Sequence, residues 1–394
     1  MLTIASATPA YTGLEIFWFL VIAVLWVGYF ALEGFDFGVG MLLPVVGRSD
    51  LDRRVMINTI GPVWDGNEVW LLVAGGATFA AFPNWYATLF SGFYLPLFLI
   101  LAALIFRGVA FEFRAKREHP KWHLAWDHAI FWGSLIPSLL WGVAFANILR
   151  GTPIGPHQTY LGSFFNLLNV YSLLGGVTTL LLFALHGSIF LSLKTTEDIR
   201  ERAEAAAKVL APAATVALLG FLAWTYANAR SAHDVGIVPP FVPILAIAAV
   251  AVVGWLLREK LEGWAFIANA VAMVGLIATI FLNLYPRVMV SSISPAFNLT
   301  IGNTSSAPYT LKVMTVVALI FTPLVLVYQS WSYWVFRARV RRPPVGAVLP
   351  ATGPPPAGGT PAPAATSAGA DAGADATTVS DDAAASPTGD GGNP

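Results

Sequence analysis

The chain reads as an all-α integral membrane protein, and three observations carry that reading. Of its 394 residues, 56% are hydrophobic and only 11% are charged, where a soluble domain carries about 25%. Nine stretches are long and apolar enough to cross a bilayer as helices, which takes about 20 residues each. Lys and Arg rise and fall from loop to loop, as the positive-inside rule requires of a chain that crosses repeatedly.

The expected spans cover residues 14–46, 55–82, 86–113, 125–149, 161–193, 208–229, 241–258, 263–285 and 309–336. Several exceed the minimum, which implies tilt or extension beyond the bilayer. With the N-terminus outside, Arg48, Arg53 and Arg54 follow the first span on the inner side. The next inner loops hold Arg114, Lys116, Arg117 and Lys121, then Lys194, Arg200, Arg202 and Lys208, then Arg258 and Lys260. Arg337, Arg339, Arg341 and Arg342 follow the last span, while the outer loops carry only Arg150, Arg230 and Arg287. Nine spans and an N-out, C-in orientation therefore support each other.

This divides the chain into a short outer N-terminus (1–13), a nine-helix membrane domain (14–342) and a tail (343–394). The N-terminus has no Lys or Arg before its first apolar run, so a cleaved signal peptide is not expected. The tail is Pro, Ala, Gly, Thr and Asp with almost no large apolar side chains, so it is expected to be a disordered, cytoplasmic spacer. The outer loop 286–308 is rich in Ser, Asn, Thr and Pro. Its Asn298-Leu299-Thr300 matches a glycosylation sequon, too short a pattern to carry weight.

Several chemistries are not expected. There are no cysteines, hence no disulfide, iron–sulfur cluster or thiolate metal site. No basic run suits nucleic acid, and no phosphate-binding loop appears. Of six histidines, only His186 lies well inside a span, where a hydrogen-bonded helix interface is the expected role. No metal site is expected in this chain.

The informative residues are the charged ones inside the spans. Asp36 lies ten residues before Val46, and Asp65 ten residues after Val55. At 1.5 Å per residue, both sit about 15 Å from the inner edge. Arg107, seven residues before Arg114, lies about 10 Å deep with a stem that reaches further. Glu33 shares a helix face with Asp36, and Glu68 with Asp65. Intramembrane acids are costly and mark proton or ion chemistry. Four acids around one Arg would titrate as a coupled set. A proton relay and a structural lock between helices both fit. Gly34 and Gly38 suggest close helix packing, and Gly75, Gly76 and Ala77 suggest the same.

Specific motifs follow this pattern. Glu33-Gly-Phe-Asp-Phe-Gly-Val-Gly-Met41, Arg53-Arg-Val-Met-Ile-Asn58 and Trp64-Asp-Gly-Asn-Glu-Val-Trp70 resemble subunit II of the cytochrome bd-type quinol oxidases. The resemblance continues through Ser91-Gly-Phe-Tyr94, Phe106-Arg107, Phe111-Glu-Phe-Arg114, Gly142-Val-Ala-Phe145 and Gly162-Ser-Phe-Phe165, and covers about residues 14–340. The tail lies outside it.

The resemblance implies two four-helix bundles plus one peripheral helix. It implies a complex of the bacterial plasma (inner) membrane that oxidises quinol and reduces dioxygen to water. Two b-type hemes and one d-type heme would sit in a heme-bearing subunit I, the partner in a heterodimer. A small single-helix accessory subunit, lipids and a structural quinone in this chain would fit the pattern. No catalytic residue is then expected here. Asp36, Asp65 and Arg107 fall inside matching motifs, and the acid of Trp-Asp-Gly-Asn implies that Asp65 serves the proton route at the subunit interface, with Trp64 nearby. Glu33 and Glu68 are tuning candidates. The alternative is a proton-coupled secondary transporter, against which stands the lack of a convincing inverted repeat or a Gly/Pro-broken helix pair.

Overall fold

The computed structural model describes residues 11–231 and 239–341. The expected tail 343–394, most of segment 1–13, and His233 lie outside the described residues.

Helix α1 (Gly13–Val46) opens on a capping box, with Thr12 and Glu15 each satisfying the other's backbone N–H. Its 34 residues span about 50 Å, well beyond a bilayer core. Helix α2 (Asp50–Ile60) starts on a second capping box, Ser49 with Asp52. The chain then breaks at Gly61-Pro62-Val63 before α3 (Trp64–Ala81). Pro62 has no N–H for the helical ladder. The expected single span over 55–82 is therefore two helices, and a Gly/Pro break exists where none was expected.

Helix α4 (Pro83–Gly92) follows with Pro83 in its first turn, and α5 (Tyr94–Phe113) follows after Phe93. Pro96 cannot donate to the preceding turn, so the expected helix over 86–113 is also interrupted. Helix α6 covers Pro120–Arg150. Helix α7 runs Val170–Lys194, starting nine residues later than the expected 161. The polar groups before it bond locally instead: Asn166 accepts from the Ser163 N–H, and Asn169 caps α7. Helix α8 (Glu197–Ser231) starts well before the expected 208, because its charged first turns are too polar for a membrane yet good helix formers.

Helices α9 (Phe241–Arg258) and α10 (Glu262–Leu284) complete this part. Strands β1 (Arg287–Met289) and β2 (Leu299–Thr300) pair antiparallel in the loop before α11 (Ile301–Thr304) and α12 (Pro308–Val335). Among the described residues, eight helices are long and apolar enough to cross a membrane. Helix α3 is not among them, because Asp65, Asn67 and Glu68 in its 18 residues lower its hydropathy.

Helix α7 is central, packing on α1, α6, α8 and α10; α3 packs on α1, α5 on α6, and α9 on α8 and α10. Helix α12 leans on α1 and α3 and is otherwise exposed along its length. The α1–α7 crossing is tight. A Cβ on Gly38 would lie 2.0 Å from the Phe183 carbonyl oxygen, and one on Gly187 would lie 2.3 Å from the Gly38 carbonyl carbon. That is the close approach expected at Gly34 and Gly38. Gly75 and Gly76 are different: a Cβ there would meet nothing within 4 Å. No described helix packs on that face, which corrects the expectation of close packing there.

Candidate functional site: a buried acid cluster beside an open helix face

The tight α1–α7 crossing holds the Glu33–Gly38 segment rigid and wholly buried. Glu33 and Asp36 project from it on one side, both fully buried. Arg107 arrives from α5, also fully buried, because α6 carries Gly133 at the crossing. A Cβ there would lie 2.6 Å from the Arg107 Cβ and 2.7 Å from the Ala103 carbonyl oxygen. Arg107 Nη1 donates to Glu33 Oε1 at 2.5 Å and lies 3.5 Å from Glu68 Oε2 on α3. The Phe37 and Phe111 rings lie 4.9 and 5.2 Å from the guanidinium carbon, a favourable setting for a desolvated cation.

The fourth acid does not join this group. Asp65 is exposed and has no hydrogen bond or ion pair with another described residue. Asn67 takes the inward position, fully buried, and its Nδ2 donates to Asp36 Oδ2 at 2.7 Å. The two residues are about 200° apart around α3, so they face opposite ways. Asp65 occupies the first turn of α3, where free N–H groups favour an anion. Trp64 is half-buried, its ring 4.9 Å from Phe111.

Thus Glu33, Asp36, Arg107 and Glu68 come together, Trp64 borders them, and Asp65 stands apart. Three carboxyls share one cation. Glu33 Oε2, Asp36 Oδ1, Glu68 Oε2, Arg107 Nε and Arg107 Nη2 have no hydrogen-bond partner among the described residues. In a lock made wholly of protein groups each of these polar atoms would be paired.

Sequence reasoning missed Gln329 and Tyr333 on α12. Both donate to Asn67 Oδ1, at 3.2 and 2.7 Å. Their signal was the i,i+4 spacing of two long hydrogen-bonding side chains near the end of a largely apolar span.

On its other side, α3 presents Asp65, Val69, Leu72, Val73, Gly76 and Phe79 as one exposed stripe. Between α3 and α5 lies an apolar cleft of about 490 Å3, lined among others by Trp26, Gly76, Trp85, Tyr94 and Trp141. Trp85 is buried, and its indole N–H has no partner among the described residues.

A second charged cluster ties the arginine-rich end together. Arg114 bridges Asp127 and Asp50, each at 2.6 Å. Arg53 lies 3.0 Å from Asp127, and His123 lies 3.0 Å from Asp50. Burial alone would raise the Asp50 carboxyl, but the Arg114 guanidinium outweighs it and holds the group below its usual range. A depressed carboxyl contributes stability above its unfolded value, near 3.9, and loses it as pH falls through the folded value. Asp50→Asn should therefore lower the melting temperature in detergent at pH 7, and the gap from wild type should close on acidification below about pH 4. A gap independent of pH would show that Asp50 is not held as an anion.

His186 is buried at the α1–α7 contact. Its Nε2 lies 3.2 Å from the Ala31 carbonyl oxygen, and Phe266 stacks on its ring at 4.1 Å. Among the described residues, no group of three or more His, Asp or Glu side chains could hold a metal ion.

Comparison with known proteins matches this architecture. The family model described as cytochrome bd terminal oxidase subunit II covers residues 14–336. Cytochrome bd ubiquinol oxidase subunit 2 of Bacillus subtilis is 46% identical over 323 residues, 82% of this chain and 96% of that one. Cytochrome bd-I ubiquinol oxidase subunit 2 of Escherichia coli K12 is 38% identical over 365 residues, 84% and 96% of the two chains. The solved bd oxidase from Geobacillus thermodenitrificans shares the fold, with a TM-score of 0.67 at 16% identity over 82% of this chain and 99% of that one. From its buried motifs to its helical arrangement, this chain belongs to the cytochrome bd terminal oxidase subunit II family.

Proposed function

We propose that this chain is the non-heme subunit of a membrane complex that oxidises quinol and reduces dioxygen to water. It supports a heme-bearing subunit I and conducts protons inward from the cytoplasmic side. The observation that carries this is the buried Glu33–Asp36–Arg107–Glu68 cluster with its unpartnered polar atoms, set against a helix face that carries a carboxylate and nothing to cover it. A charged group facing lipid is costly, so the Asp65 stripe suits a protein neighbour. Helices α3 and α12 together form the docking face for subunit I, and α3 is the ninth spanning segment. The Arg114–Asp127 end faces the cytoplasm, in keeping with the positive-inside rule.

Asp65, at that interface, receives protons, with Glu68 as its neighbour one turn away. Asp36, Glu33 and Arg107 tune the site. The two b-type hemes and the d-type heme belong to subunit I, in keeping with the closed surroundings of His186. The cleft between α3 and α5 suits a structural quinone. Its apolar walls would hold the ring and chain, and the free Trp85 N–H would donate to a carbonyl. Family membership sets the transporter alternative aside, although the break at Gly61–Val63 is of the kind transporters use.

The test is purification from native membranes in mild detergent, with a reduced-minus-oxidised visible spectrum. The wild-type chain should bring a heme protein with a d-type band. Gly76→Leu should leave this chain folded, since no described atom lies near its Cβ position, yet lose the heme partner. A colourless wild-type chain would overturn the oxidase reading. A Gly76→Leu chain that keeps its partner would remove α3 from the interface.

A further inference from the structure

The amide of Asn67 can be turned either way at almost equal shape, yet here its orientation follows from a chain of donors. The indole of Trp70 can only donate. Its Nε1 lies 2.9 Å from Gln329 Oε1. That contact turns the Gln329 amide so that its Nε2 faces Asn67 Oδ1 at 3.2 Å. Tyr333 donates to the same oxygen at 2.7 Å. With two donors on its oxygen, Asn67 must present its N–H groups to α1, to Asp36 Oδ2 at 2.7 Å and to the Leu32 carbonyl at 3.4 Å.

We infer that Trp70, Gln329 and Tyr333 are positioning residues for Asp36: by fixing the Asn67 amide, they hold a hydrogen-bond donor on its carboxylate. At this end α12 is held by these bonds and, just beyond its last turn, by Lys194, whose Nζ donates to the Phe336 and Ala338 carbonyls; of the two sets, only the first reaches the Asn67 amide. Without them the amide can flip and present its oxygen to Asp36. Two facing acceptors are tolerable only with a proton between them. The flipped state therefore favours a protonated Asp36, and the observed state favours an ionised one. The other titratable groups acting on Asp36 are Glu33 from α1, Arg107 from α5 and Glu68 from α3. The variants below leave all three in place. His186 on α7 is directed at the Ala31 carbonyl instead.

The inference stands on the proposed proton route only where turnover is concerned, so two readouts are needed. The purified oxidase complex would be studied by infrared difference spectroscopy. The carboxyl band of Asp36 is identified by its loss in Asp36→Asn. In the double variant Tyr333→Phe, Gln329→Leu, that band should persist to a pH about one unit higher than in wild type, because the net worth of a hydrogen bond is about one pH unit. Tyr333→Phe alone, which removes only a hydroxyl, should give a smaller displacement in the same direction and guards against a misfolded double variant. The proton-limited side of the turnover profile should move with the band. In an Asp36→Asn background, neither substitution should move that profile.

An unmoved band in a double variant with a normal heme spectrum would overturn the inference. So would an equal profile shift in the Asp36→Asn background, which would make these residues merely structural. A displaced band with an unmoved turnover profile would uphold the positioning role and count against the proton route.

Discussion

Arg107→Met is expected to destabilise this chain by about 3–5 kcal/mol, the usual result of removing one partner from a buried ion pair. Glu33 is fully buried, and among the described residues its one short contact with a cation is through Arg107 Nη1. Met fills much of the stem's volume, so the loss reports the charge rather than a cavity. Folded proteins hold only about 5–15 kcal/mol in reserve, so little assembled complex should accumulate. Adding Glu33→Gln should restore much of the yield, because it removes the uncompensated charge together with its partner. Thermal unfolding and detergent-extracted yield are the measurements. A single variant as stable as wild type would mean that Glu33 is not held as a charged partner. A double variant no better than the single would point to lost packing around Phe37 and Phe111.

Asp65→Asn should behave in the opposite way. Asp65 is exposed and bonded to no described residue, so stability of this chain should change by no more than about 0.5 kcal/mol. Oxygen reduction by the complex should nevertheless fall by about 100-fold, the lower end of what a positioned proton-transfer group contributes. Side-chain shape is preserved, so the loss would lie in proton handling. Turnover and visible spectra at matched heme content would decide. Normal turnover would remove Asp65 from the proton route. Lost heme with a stable chain would assign it to holding the two subunits together.

The contrast between these variants marks where sequence reasoning reached and where it stopped. Glu33, Asp36 and Arg107 were legible because each breaks an apolar run on a helix whose phase continues unbroken through the motif. Counting 1.5 Å per residue brought them to one level. Asp65 was expected beside them on the same count, but the turn at Gly61-Pro62-Val63 resets the rotation of α3. The inward position falls to Asn67. Depth survives such a break and facing does not. The small residues divide in the same way. Gly38 meets the α7 backbone, while Gly76 meets nothing, and a pattern of small residues cannot distinguish a covered face from one left open. Gln329 and Tyr333 escaped notice because their partner lies more than 260 positions away.

By itself, then, the sequence determined that the chain crosses a membrane repeatedly, that it carries acids and an arginine at one depth, and that its motifs resemble one family. These properties are sums over local windows, in which hydrophobicity and helical rise act residue by residue. Only the tertiary structure decided which carboxyls share Arg107, that Asp65 faces outward, and that α12 orients the Asn67 amide. Each depends on the rotation of one helix against another, which is set by backbone contact at glycines and by a proline break, and no local window contains both partners.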